Sequence, residues 1–182
     1  MIKIYIQSCA TECTGDLKPG SKKICIDKDV VINVLCVVFV MLVVWINGKF
    51  LFQVCRVYGD SMRPTYFNSD TVLVNKFDKV YERNDIIVFN CCNDVFIKRV
   101  VGVPGDKIQI IDGILYVNDD KCELIDDSEI EYEGIAAEPV ILDTDEYFVL
   151  GDNHENSMNS RYSEVGPVHI NDVVGRVIMK IM

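Results

Sequence analysis

The chain has 182 residues, room for about one compact domain of roughly 100–150 residues and a short appendage. Its formal net charge of −10 is uneven: residues 1–29 hold five Lys against four acids, leaving thirteen Lys and Arg against twenty-four Asp and Glu beyond them. So acidic a body argues against nucleic acid as partner, because neutralising phosphates needs a basic surface. The eight cysteines form no C-x-x-C pair, and His154 and His169 lie far apart, so no zinc site is indicated and free, apolar-behaving thiols are expected.

From Val30 to Ile46 the sequence VVINVLCVVFVMLVVWI carries no charge and one polar side chain, Asn33. As a helix this run rises about 25 Å, just short of a bilayer core of about 30 Å. Lys28 and Lys49 flank it, and Trp45 stands where an interfacial aromatic belongs. A buried core helix, a central strand pair and a cleaved signal compete with a membrane anchor. A cleaved signal wants a shorter apolar run followed by small residues, whereas Trp45, Ile46, Asn47, Gly48 and Lys49 follow here. A transmembrane helix over 30–46 is therefore predicted. Lys18, Lys22, Lys23 and Lys28 before it outnumber Lys49 and Arg56 after it, which predicts a cytoplasmic segment 1–29 and an extracytoplasmic domain over 50–182.

Beyond the anchor, short apolar runs alternate with turn residues, and no long stretch has helical period. Strands are predicted over Thr71–Lys76, Asp85–Asn90, Val95–Val103, Lys107–Ile111, Ile114–Val117, Glu146–Leu150 and Val173–Ile181. Asp112-Gly113 signals a hairpin, since a type I′ turn needs positive φ, and Asn118-Asp119 marks a further turn. Residues 122–145 are acid-rich and weakly patterned, and read as an exposed excursion. The fold class is mainly β: an antiparallel sheet or barrel-like domain behind one N-terminal transmembrane helix.

Three segments combine backbone-shaping residues with reactive ones. In Gly59-Asp60-Ser61-Met62-Arg63-Pro64-Thr65, glycine permits an unusual turn and proline fixes its exit, presenting Ser61 on a constrained loop; alone, such a serine is usually a turn residue. In Phe96-Ile97-Lys98-Arg99-Val100, strand alternation puts Lys98 on a face with Phe96 and Val100. Apolar surroundings disfavour an ammonium ion and lower a lysine pKa toward the range of a useful base; the alternative is a lysine snorkelling off a sheet edge. The third segment, Gly151-Asp152-Asn153-His154-Glu155-Asn156-Ser157-Met158-Asn159-Ser160-Arg161, is a polar, glycine-led loop after the apolar YFVL. A Ser/His/Asp triad through His154 ranks below a Ser–Lys pair, because His154 lies in a polar run that looks like loop surface.

Taken together and in this order behind an N-terminal span, the three segments resemble the motifs of bacterial type I signal peptidases, which use a Ser–Lys dyad. The resemblance implies Ser61 in GDSMRPT as nucleophile, Lys98 in KRVVGVPGD as general base, and Ser157 as the hydroxyl that orients the lysine. It puts Arg99 and Asp152 at the places of a supporting ion pair, and Asp106 and Arg161 at motif positions with structural roles. Gly59 falls where some members carry a serine that helps stabilise the oxyanion. Val57, Val88 and Ile97 match positions lining shallow apolar pockets, and each is equally readable as core. Two departures stand out: Asn159 replaces a usual acid, and His154 a frequent arginine. The implied partners are the lipid bilayer and membrane-bound preproteins whose signal peptides carry small residues before the cleavage site; no cofactor or metal is implied. A self-cleaving Ser–Lys regulator and a catalytically inactive membrane-anchored β module that binds exported chains are the alternatives.

Overall fold

The computed structural model describes residues 28–123, 130–154 and 157–181, and the chain divides into two units, residues 1–49 and 50–182. Helix α1 (Lys28–Leu51), which begins in the first, is 24 residues long, about 36 Å at 1.5 Å per residue, so the helix overruns the predicted span 30–46 at both ends. None of the window Lys28–Trp45 is buried, and it is long and apolar enough to cross a membrane. A helical segment that is apolar on every side and unburied over Lys28–Trp45 has no aqueous face to offer, which supports membrane anchoring.

The second unit is built of strands β1 (Phe52–Arg56), β2 (Thr71–Asn75), β3 (Ile86–Cys91), β4 (Asp94–Gly102), β5 (Lys107–Ile111), β6 (Ile114–Val117), β7 (Asp120–Lys121), β8 (Val140–Ile141), β9 (Glu146–Leu150), β10 (Val168–His169) and β11 (Val173–Lys180). Seven form one sheet in the order β1-β2-β11-β3-β4-β9-β10, and four form a second in the order β7-β6-β5-β8. Every pairing is antiparallel. The hairpins turn on two residues with positive φ: Asp112-Gly113 (49° and 74°), Asn118-Asp119 (56° and 71°) and Cys92-Asn93 (53° and 71°). The last opens on a cysteine in place of Asn or Asp and lacks glycine, so its sequence signal is weak.

Two expectations need correction. The edge strand β1 was not predicted: FQVCR is exposed at four of its five positions, so it has no alternation to read. The excursion over 122–145 is not wholly exposed. Residues 124–129 lie outside the described residues, but Ile130, Ala136 and Leu142 are buried against Ile108, Ile110, Leu115 and Val117 in the core of the smaller sheet. Three apolar anchors among many acids set the path of that segment, and the acids mask them in a compositional reading.

For the site, the register around β4 matters most. This strand lies between β3 and β9, with Ile87 opposite Lys98, Val88 opposite Ile97, and Val100 opposite Val149. Lys98 therefore stands inside a sheet and not on its edge, which removes the snorkelling alternative.

Candidate active site

Ser61 is carried on the loop from β1 to β2. The neck of that loop is closed by two bonds, Val57 N–H to Asp70 O (2.8 Å) and Ser69 N–H to Val57 O (2.8 Å). Gly59 turns the backbone at φ +83° and donates its N–H to Asn68 Oδ1 at 3.1 Å. Next to Ser61, Met62 is buried in an apolar cluster with Val57, Tyr66, Val72, Val74, Ile86 and Val88. The nucleophile loop is thus plugged into the core by the side chain adjacent to its serine.

From the opposite side, β9 delivers Gly151. A Cβ there would run into Ser61 O and into the Ser157 side chain, so only glycine lets the two loops approach so closely. The Asn153 N–H donates to Ser61 O at 3.1 Å, and Asn153 Nδ2 donates to Asp60 O at 3.3 Å.

Lys98 Nζ lies 2.7 Å from Ser61 Oγ and 3.1 Å from Ile97 O, with the Phe96 ring 5.7 Å away. The lysine is 3% exposed. Burial drives its pKa down to about 8, although the Asp152 carboxylate pulls the other way. Asp152 is itself held by Arg99 through two bonds of 2.7 Å, and it accepts a further hydrogen bond from Thr65 Oγ1. Arg99 also donates to Thr65 Oγ1 (3.3 Å) and to Asn84 O (2.9 Å). An anion compensated from two sides raises a neighbouring ammonium pKa less than a bare one, so the Arg99–Asp152 pair lets desolvation prevail at Lys98.

The other predicted residues divide between this site and its supports. Ser157 is buried against Gly151, but its hydroxyl forms no hydrogen bond among the described residues and is not bonded to Lys98. Val57 and Val88 are buried in the Met62 cluster, with Ile97 packed half-buried against it. Asp106 lies away from Ser61, at the β4–β5 turn. Burial would raise its carboxyl pKa, yet hydrogen bonds from Arg83 (3.1 and 2.6 Å), the Val103 N–H (2.8 Å) and Asn118 Nδ2 (2.8 Å) together lower it. Arg161 is buried and donates to Asn159 Oδ1 (3.0 Å), Tyr132 O (2.8 Å) and His154 O (2.8 Å). Asn159 Nδ2 donates in turn to Ser157 O at 2.9 Å.

The described part of the loop 151–161 is not loop surface, as its polarity suggested: Asp152, His154, Ser157, Asn159, Ser160 and Arg161 are all buried. Much of its polarity is spent inward, on hydrogen bonds of Ser160, Asn159 and Arg161 that fix its shape. Thr65 and Asn153, which tie the serine loop to this segment, were not singled out from sequence. Their signal was present in the two motifs, but their partners lie 87 and 93 positions away.

Comparison with known proteins places the chain among relatives. The family described as signal peptidase, peptidase S26, matches residues 30–182. Signal peptidase I P of Bacillus subtilis subsp. natto is 35% identical over 153 residues, 76% of this chain and 82% of the relative. Signal peptidase I S of Bacillus subtilis strain 168 is 34% identical over 143 residues, 70% of this chain and 74% of the relative. A crystal structure of a signal peptidase I from Enterococcus faecalis V583 is 27% identical, with a TM-score of 0.45, covering 54% of this chain and 97% of that one.

Proposed function

The chain belongs to the signal peptidase family of peptidase S26, and from that premise we propose that it removes signal peptides from exported preproteins through a Ser61–Lys98 dyad. The observation that carries the reading is the 2.7 Å approach of Lys98 Nζ to Ser61 Oγ in a setting that excludes water from the amine. A lysine buried to a pKa of about 8 has a substantial neutral fraction near neutral pH, which an exposed lysine lacks.

In this mechanism neutral Lys98 accepts the Ser61 proton while Oγ attacks the scissile carbonyl. The ammonium then protonates the departing amine, leaving an acyl-enzyme on Ser61, and Lys98 activates the water that hydrolyses it. Arg99 and Asp152 hold the two loops together beside the base. Ser157, buried with an unmatched hydroxyl next to Ser61, is available to orient the amine once substrate arrives. Val57, Val88 and Ile97 would form the apolar walls against which small residues before the scissile bond dock, the extended chain adding as a strand beside the Ser61 and Lys98 segments. Residues 1–29 would be cytoplasmic and 50–182 extracytoplasmic, with α1 confining the enzyme to the surface where its substrates are anchored, so that effective concentration replaces part of the binding energy.

The test is cleavage of a purified preprotein in detergent by wild type and by Ser61→Ala. Loss of processing in the variant is expected; processing at the wild-type rate would remove Ser61 from the mechanism, and an inactive wild type would favour the binding module instead.

A further inference from the structure

We infer that Asn153 is the positioning residue of the oxyanion site, orienting the backbone N–H groups on both sides of the nucleophile through the carbonyls of Asp60 and Ser61. The inference rests on the reading of Ser61 as nucleophile and extends it to a residue that the dyad does not include.

In a trans peptide the C=O and the N–H of the same unit point in opposite directions, so fixing one fixes the other. The Ser61 N–H belongs to the peptide whose oxygen is Asp60 O, and that oxygen accepts from Asn153 Nδ2 at 3.3 Å and from Arg63 N–H at 3.2 Å. The Met62 N–H belongs to the peptide whose oxygen is Ser61 O, which accepts from the Asn153 N–H at 3.1 Å. One residue, using its backbone and its side-chain amide, therefore grips the carbonyl ends of both peptides that flank Ser61. Their N–H ends are directed away from Asn153, and neither takes part in a hydrogen bond among the described residues.

Nothing local explains the arrangement. Asn153 Nδ2 reaches 93 positions back along the chain, which is no turn-forming bond. Gly151, which admits no Cβ at this contact, lets its own strand end come close enough for the grip. Serine hydrolases gain much of their rate from donors already aimed at the oxygen that becomes negative in the transition state. In Gly59-Asp60-Ser61 no side-chain donor precedes the nucleophile at position 59, which leaves the peptide N–H groups to supply that function.

The test compares wild type with Asn153→Ala and the isosteric Asn153→Asp, both of which keep the Asn153 N–H and lose the Nδ2 donor. We expect kcat to fall about tenfold, with KM changed less than about twofold, since an interaction made in the transition state alone leaves substrate binding untouched. A peptide aldehyde with small residues at its first and third positions, which forms a tetrahedral oxyanion on Ser61, should lose affinity by the same factor as kcat. A non-cleavable peptide of the same sequence should bind as to wild type. Aldehyde affinity unchanged in both variants, or a loss confined to KM, overturns the proposal. Thermal melting of each variant separates an unfolded sample from a mispositioned one. Ser61→Ala, assayed in parallel, keeps the two readings apart: if it remains active the nucleophile assignment fails, and if it is dead while both Asn153 variants keep full kcat, the positioning role alone fails.

Discussion

Lys98 and Arg161 are both buried cations, and neither is hydrogen-bonded to a carboxylate among the described residues, yet their surroundings make opposite things of them. Arg161 spends its Nε, Nη1 and Nη2 on three oxygens that bracket it, and the Tyr162 ring lies 5.9 Å from its guanidinium carbon. Burial lowers its pKa, but from so high an ordinary value that the charge persists. Among the described residues Lys98 meets only one hydroxyl and one carbonyl, too few oxygens to replace the hydration of an ammonium, and its pKa falls to about 8. Saturating a buried cation with acceptors produces a strut, whereas starving it produces a base. The pair also sets the geography of the site, with the base next to Ser61 and the strut shaping the loop that carries Gly151–Asn153.

The sharpest way to break the comparison is to turn the base into a second strut. Lys98→Arg retains a charge that no accessible pH removes, and Lys98→Met removes the amine; both should lower kcat/KM by about 10³-fold or more, the range expected for a lost general base. Wild-type kcat/KM should rise with pH through an apparent pKa near 8, because only neutral Lys98 accepts the serine proton, and that rise should be missing from the residual activity of both variants. A rise centred near 10.5 would mean that the lysine is not desolvated in the working enzyme. On the other side of the comparison, Arg161→Met strands the carbonyls of Tyr132 and His154 and leaves the amide oxygen of Asn159 with the backbone N–H of residue 161 alone. It should lower unfolding stability by about 2–4 kcal/mol in denaturant titration, given about 1–3 kcal/mol for each of the two orphaned carbonyls and some relaxation.

A base held in a poor environment should also cost stability. With the folded pKa near 8 and an unfolded value near 10.5, burial of the charged lysine weakens the native state by about 3 kcal/mol at any pH below 8. The sign follows from proton counting: between pH 8 and 10.5 the unfolded chain binds the proton that the native state has released, so stability rises with pH and the penalty is gone above that window. Lys98→Met should therefore be inactive and more stable than wild type at pH 7, with the two stability curves converging as pH approaches about 10.5. Equal stability at pH 7 would show that the surroundings solvate the ammonium better than its two contacts suggest.

The sequence carried the strand positions well where one face is buried, as in Thr71–Asn75 and Lys107–Ile111, because alternation survives there. It carried little of β1, whose exposure leaves no pattern, or of Ile130 and Leu142, whose burial depends on partners in the smaller sheet. The meeting of Ser61 with Lys98 was expected from the motifs, while the depth of the lysine came from β4 being an interior strand, a fact of topology. The inward turn of the 151–161 loop was illegible for a related reason: a polar run that makes most of its hydrogen bonds inside the domain has the same composition as one that faces water.

Asn159 is where the two cations can be compared with least disturbance. Its Oδ1 accepts from both the N–H and the Nε of Arg161, while its Nδ2 donates to Ser157 O, so the amide serves the strut and the loop beside the base together. Asn159→Asp keeps the shape and adds a charge. The carboxylate gains attraction to Arg161, but it is desolvated in the process and puts an acceptor against Ser157 O in place of the lost donor. These contributions oppose each other, so unfolding stability should change by no more than about 1 kcal/mol, far less than in Arg161→Met. The sensitive readout is activity: repulsion at Ser157 O displaces the backbone of the residue proposed to orient Lys98, and kcat should fall a few-fold while stability stays nearly constant. A gain of several kcal/mol with kcat intact would mean that the strut was short of negative charge all along, and that three neutral oxygens do not suffice to hold a buried guanidinium.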